Sequence, residues 1–282
     1  MYKILFFLFL SAPLFAQSDY FEQLESRFEF FMNDSQFETA ILVANEMKEW
    51  ALQNEGKKSK KYFSSINKLA GAYLRNEEYA NAAFYYRNLL NIEPNNEDVL
   101  IDLGASVIYL GDYKLNQIDE NSNLSEILGL YTEGIEAHEK LKRLNPKNPY
   151  LKDNLVAAYR IRGKFYGQNL QKLSEALADL EKANFYASGK DVEVLRLLGV
   201  AYGLSGVLAD NLKLSMKYNL KAIESLQKAL KIAPDYVPSI YNLEIAYREL
   251  AKKDTKNKDK YLSKAVELNK QWKKLDPDYS PN

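Results

Sequence analysis

Side chains suited to chemistry are scarce in this sequence of 282 residues, which has one histidine, His138, and no cysteine. A catalytic base needs a nucleophile within hydrogen-bond reach and usually an orienting group. The sequence around His138 supplies neither. A single imidazole excludes a multi-histidine metal site within one chain, and the absence of Cys excludes thiolate zinc sites, disulfides, a Cys nucleophile and lipid attachment through an N-terminal Cys. Carboxylates remain, but no acidic loop has the calcium-binding EF-hand spacing, and the scattered glycines form no phosphate-cradling loop. The sequence therefore points to no catalytic residue, no metal and no cofactor. With 38 Lys+Arg against 38 Asp+Glu, it lacks the basic surplus of a general nucleic-acid binder. The chemistry left is hydrogen bonding, ion pairing and aromatic contact, for which 21 tyrosines stand out.

Four of those tyrosines follow a period. Ala-Tyr occurs at Ala72-Tyr73, Ala158-Tyr159, Ala201-Tyr202 and Ala246-Tyr247, at gaps of 86, 43 and 45. The first gap is two periods, and the missing copy is Leu103-Gly104-Ala105-Ser106-Val107. Each copy has Leu four residues earlier, at Leu69, Leu103, Leu155, Leu198 and Leu243. Residues four apart share a helical face, and the small residues between them admit a neighbouring helix. Downstream lies a second amphipathic helix reading small, large, core: Ala82, Tyr86, Leu89; Gly134, His138, Leu141; Ala176, Leu180, Ala183; Ala222, Leu226, Ala229; and Ala265, Asn269, Trp272. Pro94, Pro146, Pro234 or Pro277 closes four of these, and Ser188-Gly189 the fifth. Proline cannot continue a helix, and glycine takes the left-handed cap conformation. His138 occupies a large packing position, which reads as a core histidine.

This order of Leu, small, Tyr, then Ala, aromatic, Ala, Pro resembles the tetratricopeptide repeat, a helix–turn–helix of about 34 residues. The best copy runs from about Tyr62 to Pro94. A degenerate hairpin with Phe28, Phe31, Phe37, Ala40, Ala44 and Met47 precedes it. A period near 45 also falls in the HEAT and armadillo range, but the Ala-Tyr and closing Pro signatures favour the first family. The resemblance implies an all-α protein, an α-solenoid of about six such hairpins forming a single array over 17–282. The extra residues in four copies lie at Asp112–Leu124, Gly163–Leu170, Gly206–Met216 and Ala251–Lys258. They lengthen the two helices or build up one rim. With no separate capping helix, Trp272 is expected to be partly exposed.

In this family the other face of each first helix lines an inner groove. The resemblance therefore assigns a partner-binding set of Asn67, Lys68, Arg75, Tyr150, Asn154, Arg160, Arg196, Tyr241, Asn242 and Arg248, with Asp153 among them. Lys and Asn are not on consecutive hairpins, so a carboxylate clamp is not implied. A groove for an extended or helical peptide fits better.

The N-terminus reads as a secretory signal over 1–16. Lys3 precedes Ile4–Ala16, apolar except for Ser11 and Pro13, which suits a signal core and is too short to span a bilayer. The expectation is an exported, non-catalytic interaction scaffold, periplasmic or extracellular, binding a protein or peptide. It would bind no nucleic acid and show no stable membrane insertion after signal cleavage. Two other readings stay open: a structural subunit of a homo-oligomeric or envelope assembly, and a small-ligand binder or enzyme on a helical-repeat frame.

Overall fold

The computed structural model describes residues 14–119 and 123–280. Most of the expected leader, residues 1–13, lies outside the described residues. Among the described residues there are twelve α-helices, one 3-10 turn and no strand. Consecutive helices form six hairpins: α1 (Leu14–Asn33) with α2 (Phe37–Asn54), α3 (Lys60–Arg75) with α4 (Tyr79–Ile92), α5 (Glu97–Asn116) with α6 (Leu124–Leu144), α7 (Leu151–Gln168) with α8 (Leu173–Tyr186), α9 (Val192–Leu208) with α10 (Leu212–Ile232), and α11 (Val237–Lys253) with α12 (Lys258–Leu275). Two compact units result. The first holds the chain to Gln117 with Glu136–Pro146; the second holds Ile118–Ile135 and everything from Lys147.

The helix starts are written in the sequence. Ser59, Asn96, Asp191 and Asn211 each accept a hydrogen bond from the backbone N–H three residues on, at 2.8–3.1 Å, satisfying a donor that the helix itself cannot. Three of the turns inside hairpins share a geometry, with Ser35, Glu77 and Gln171 in the left-handed region.

The repeat positions are the core of each unit. Leu69, Leu103, Leu155, Leu198 and Leu243 are all buried, as are Ala82, Tyr86, Leu89, His138, Leu141, Leu180, Leu226 and Ala265. The residue after each motif Leu decides how closely the second helix approaches. A Cβ on Gly104 would sit 2.3 Å from His138 Nε2, and one on Gly199 2.5 Å from Leu226 Cγ. Both are closer than atoms tolerate, so glycine here makes room for the large residue opposite.

The signature tyrosines hold hairpins together through both ring and hydroxyl. In the second unit Tyr159 stacks on Tyr186, Tyr202 on Tyr218 and Tyr247 on Tyr261, at 6.0–6.2 Å. Lys182, Lys221 and Lys264 lie 4.7–5.1 Å over the respective signature rings. The Tyr202 hydroxyl donates to Glu181 of the preceding hairpin, and Gln227 Nε2 donates to the Tyr247 hydroxyl at 2.9 Å. The rings thus tie the two helices of one hairpin, and the hydroxyls of Tyr202 and Tyr247 bolt successive repeats together.

One expectation changes. Trp272 is 8% exposed: its indole N–H donates to Glu244 at 2.7 Å, and Tyr241 and Tyr279 pack against its ring. The last hairpin closes on itself through this polar anchor. The added residues go mostly into longer helices, since Gly163–Gln168, Gly206–Leu208 and Ala251–Lys253 continue first helices and Leu212–Met216 begins α10. The basic run at 57–61 is divided between a turn and the start of a helix. Lys60 and Lys61 open α3, and Lys61 pairs with Glu55 at 2.9 Å while lying over the Trp50 ring.

Candidate functional site

The second unit sets its first helices α7, α9 and α11 side by side, and their faces turned from α8, α10 and α12 form the richest polar surface among the sequence candidates. Arg196 of α9 binds Glu193 through two nitrogens, at 2.7 and 2.6 Å. Tyr236, at the start of α11, donates its hydroxyl to Glu193 at 2.8 Å. Burial opposes ionisation of Glu193, but the Arg196 and Tyr236 hydrogen bonds and the nearby charge of Arg160 outweigh it and hold its pKa below the usual carboxylate range. The Glu193 hydrogen bond, in turn, raises the already high pKa of Arg196. The guanidinium is fixed in place and stays charged.

Around this centre the face divides. Arg160 of α7 is half-buried, with Nε enclosed and lacking a hydrogen-bond partner. Asn154 and Asn242 are half-buried, Asp153 is exposed, and Tyr150, at the N-terminus of α7, is 64% exposed. Tyr241 packs edge-on against Trp272 and Tyr279, at 5.6 and 5.7 Å. Arg248 donates to Glu244 at 2.7 Å. Arg196 and Arg248 are thus committed to intrachain carboxylates, whereas Arg160 keeps a donor to offer.

In the first unit, Asn67 has a buried side-chain oxygen without a partner, and Arg75 is exposed. Lys68 pairs with Glu29 at 2.5 Å and lies 5.0 Å over the Phe28 ring, so it serves the packing of the first two hairpins. The structure brings together the candidates on α7, α9 and α11.

Sequence reasoning missed Glu193, Tyr236 and Tyr279. The signal was present: Pro234-Asp235-Tyr236 recurs as Pro277-Asp278-Tyr279. Each tyrosine follows a second helix and turns onto the first helix of its own or the preceding hairpin, Tyr236 by its hydroxyl and Tyr279 by its ring.

His138 does not join any such group. It is buried against Gly104, and burial pushes its pKa below the ordinary value. Among the described residues no group of three or more His, Asp and Glu could hold a metal ion, and no helix is long and apolar enough to cross a membrane.

The tetratricopeptide-repeat family model matches residues 63–96 and 207–236. No curated protein matches the chain by sequence. Among solved structures the chain is similar to YrrB, described as a TPR protein with an unusual peptide-binding site. The identity is 15% and the TM-score 0.51, over 82% of this chain and 93% of that one. It is also similar to MamA AMB-1, at 18% identity and a TM-score of 0.50, over 79% of this chain and 96% of that one. At these identities the likeness is one of fold.

Proposed function

We propose that this tetratricopeptide-repeat protein is an exported interaction scaffold that binds an extended or helical peptide segment of a partner protein on the α7–α9–α11 face. The observation that carries the reading is the contrast on that face between Arg196, held rigid by Glu193 and Tyr236, and Arg160, whose enclosed Nε has no acceptor. A buried donor without a partner costs roughly 1–3 kcal/mol. A peptide carbonyl or carboxylate that drew the Arg160 side chain outward would recover that cost, with the Asn154 and Asn242 amides and the Tyr150 ring beside its path. Export, to the periplasm or beyond it, is the reading that Lys3 and the apolar run Ile4–Ala16 support. The fold's likeness to a protein described as peptide-binding is consistent with the reading. The sequence offers nothing that favours catalysis.

The test is a photo-crosslinking side chain placed at Asn154 or Asn242 and, as a control, at Phe185, which is 77% exposed on α8. The inner-face sites should capture one or a few proteins that the Phe185 site does not. Arg160→Ala should weaken that capture about tenfold, near 1.4 kcal/mol, with the melting temperature little changed. Equal capture from all three sites would return the face to ordinary solvated surface.

A further inference from the structure

The end of the fifth hairpin carries aliphatic side chains that no other part of the second unit covers. Leu204, Val207 and Leu208 of α9 and Leu212 and Leu220 of α10 are 46%, 55%, 71%, 58% and 50% exposed. They flank the turn at 209–211 and continue along α10, where Met216 and Leu220 share one shallow depression with Lys213, Lys217, Lys221 and one carboxylate, Glu224, which is paired with Lys228. Lys253 donates to the Gly206 carbonyl at 2.8 Å, which holds the α11–α12 turn against the end of α9. The two adjoining segments, 204–217 and 249–260, hold seven lysines and four carboxylates. Of the carboxylates, Asp254 is engaged by Asn257 and Tyr261, and Glu249 by Lys252.

We propose that this edge of the second unit docks on an anionic lipid surface, with the tip at Leu208 and Leu212 entering the headgroup layer and the surrounding lysines meeting lipid phosphates. Three features select this occupant. The apolar groups sit on a projecting helix–helix turn, which suits a fluid surface better than a partner that must match its shape. The two segments contain no Arg and no aromatic residue, and the neighbouring Tyr218, Tyr261 and Arg248 are held by Tyr202, Tyr247 and Glu244, although protein interfaces are enriched in both kinds of residue and depleted in Lys. Leucine flanked by lysine is the composition of interfacial membrane segments, where aliphatic burial and attraction to anionic headgroups act together. Lysine stems lie along the apolar surface while their ammonium groups stay in water. The contact is peripheral and separate from the α7–α9–α11 face.

The absence of cysteine makes the test specific. Leu208→Cys, labelled with a polarity-sensitive fluorophore on the full-length chain, should shift to the blue on phosphatidylcholine vesicles containing 30% phosphatidylglycerol, and much less on pure phosphatidylcholine. A label at Phe185→Cys should not respond. In the Leu208→Cys background, Lys213→Glu with Lys217→Glu should raise the lipid concentration at half-response about tenfold or more, and added salt should act in the same direction. An unshifted Leu208 label on vesicles that bind the chain would overturn the proposal, because the N-terminal apolar stretch would then be acting alone. So would an equal response to neutral vesicles, or a response to an acidic amphipathic peptide but not to vesicles.

Discussion

Two hairpins solve one packing problem in opposite ways. In the first unit the residue after Leu103 is Gly104, and the large residue facing it is His138. In the second unit the residue after Leu243 is Glu244, and Asn269 faces it. His138 is 1% exposed, with both ring nitrogens buried and lacking a well-formed hydrogen bond. Glu244 is 5% exposed but accepts from Trp272 Nε1 at 2.7 Å, Asn269 Nδ2 at 3.0 Å and Arg248 Nε at 2.7 Å. One slot admits a polar residue by removing a Cβ, the other by supplying partners. Shape decides what fits between paired helices; hydrogen bonding decides what that fit costs.

The largest effect should come from filling the first slot. Gly104→Val places a side chain where His138 Nε2 is 2.3 Å from the added Cβ, and should cost about 3 kcal/mol or more. His138→Ala in the same chain should recover part of that loss, read as a non-additive cycle in denaturant melts. Simple additivity would mean that the slot relaxes elsewhere.

Removing the anchor of the second slot should come next. Glu244→Ala leaves the Trp272 N–H and the Asn269 amide without their acceptor, and should cost about 2–3 kcal/mol. Burial raises the Glu244 pKa, but the Trp272, Asn269 and Arg248 hydrogen bonds lower it by more. Its folded pKa therefore lies below the unfolded value of 4.5. The stability it contributes is present above pH 4.5 and is lost as the pH falls through the folded value. In Glu244→Gln that acid-side loss should shrink.

His138 has the opposite consequence. Burial lowers its pKa; the backbone of Ile101 favours the charged form, but by less. Below pH 6.5 the unfolded chain takes up a proton that the folded slot resists, so stability falls as the pH drops below that value. His138→Leu puts a leucine side chain opposite Gly104, as Leu226 already stands opposite Gly199. It should stabilise the protein by about 1 kcal/mol at neutral pH and more in acid. An unchanged pH profile would mean that the imidazole finds a partner.

The smallest effect should fall on the bolts between repeats. Tyr202→Phe keeps the stack on Tyr218 but loses the hydroxyl contacts with Glu181 and Lys221. About 0.5–1.5 kcal/mol is expected, read as a shift in urea midpoint with the slope unchanged.

The hairpins were legible because repetition exposes them: a motif Leu, a small residue and a Tyr at a near-constant period leave few alternatives to stacked helix pairs. The burial of His138 was legible for the same reason, since its place in the repeat was a packing place. The placing of the candidate side chains was legible in part. Helical phase put Arg160, Asn154 and Asn242 on the free side of first helices, but it also put Tyr241 there, which packs on Trp272 of α12. It could not say that Arg196, Arg248 and Lys68 are tied to Glu193, Glu244 and Glu29, because those pairings depend on neighbouring rotamers and on contacts up to 39 residues away. Nor could it show that Trp272 is covered, since its cover comes from Glu244, Tyr241 and Tyr279 together.

The sequence by itself determined that this chain folds as paired helices with the repeat positions inside. Period, capping residues and closing prolines act locally, and local preferences agree with the long-range pattern. Only the tertiary structure decided which polar groups remain available. A side chain's phase tells which way it points, but its free capacity to bind depends on what has already met it there. Arg160 and Arg196, both assigned to one face by phase, differ in that respect.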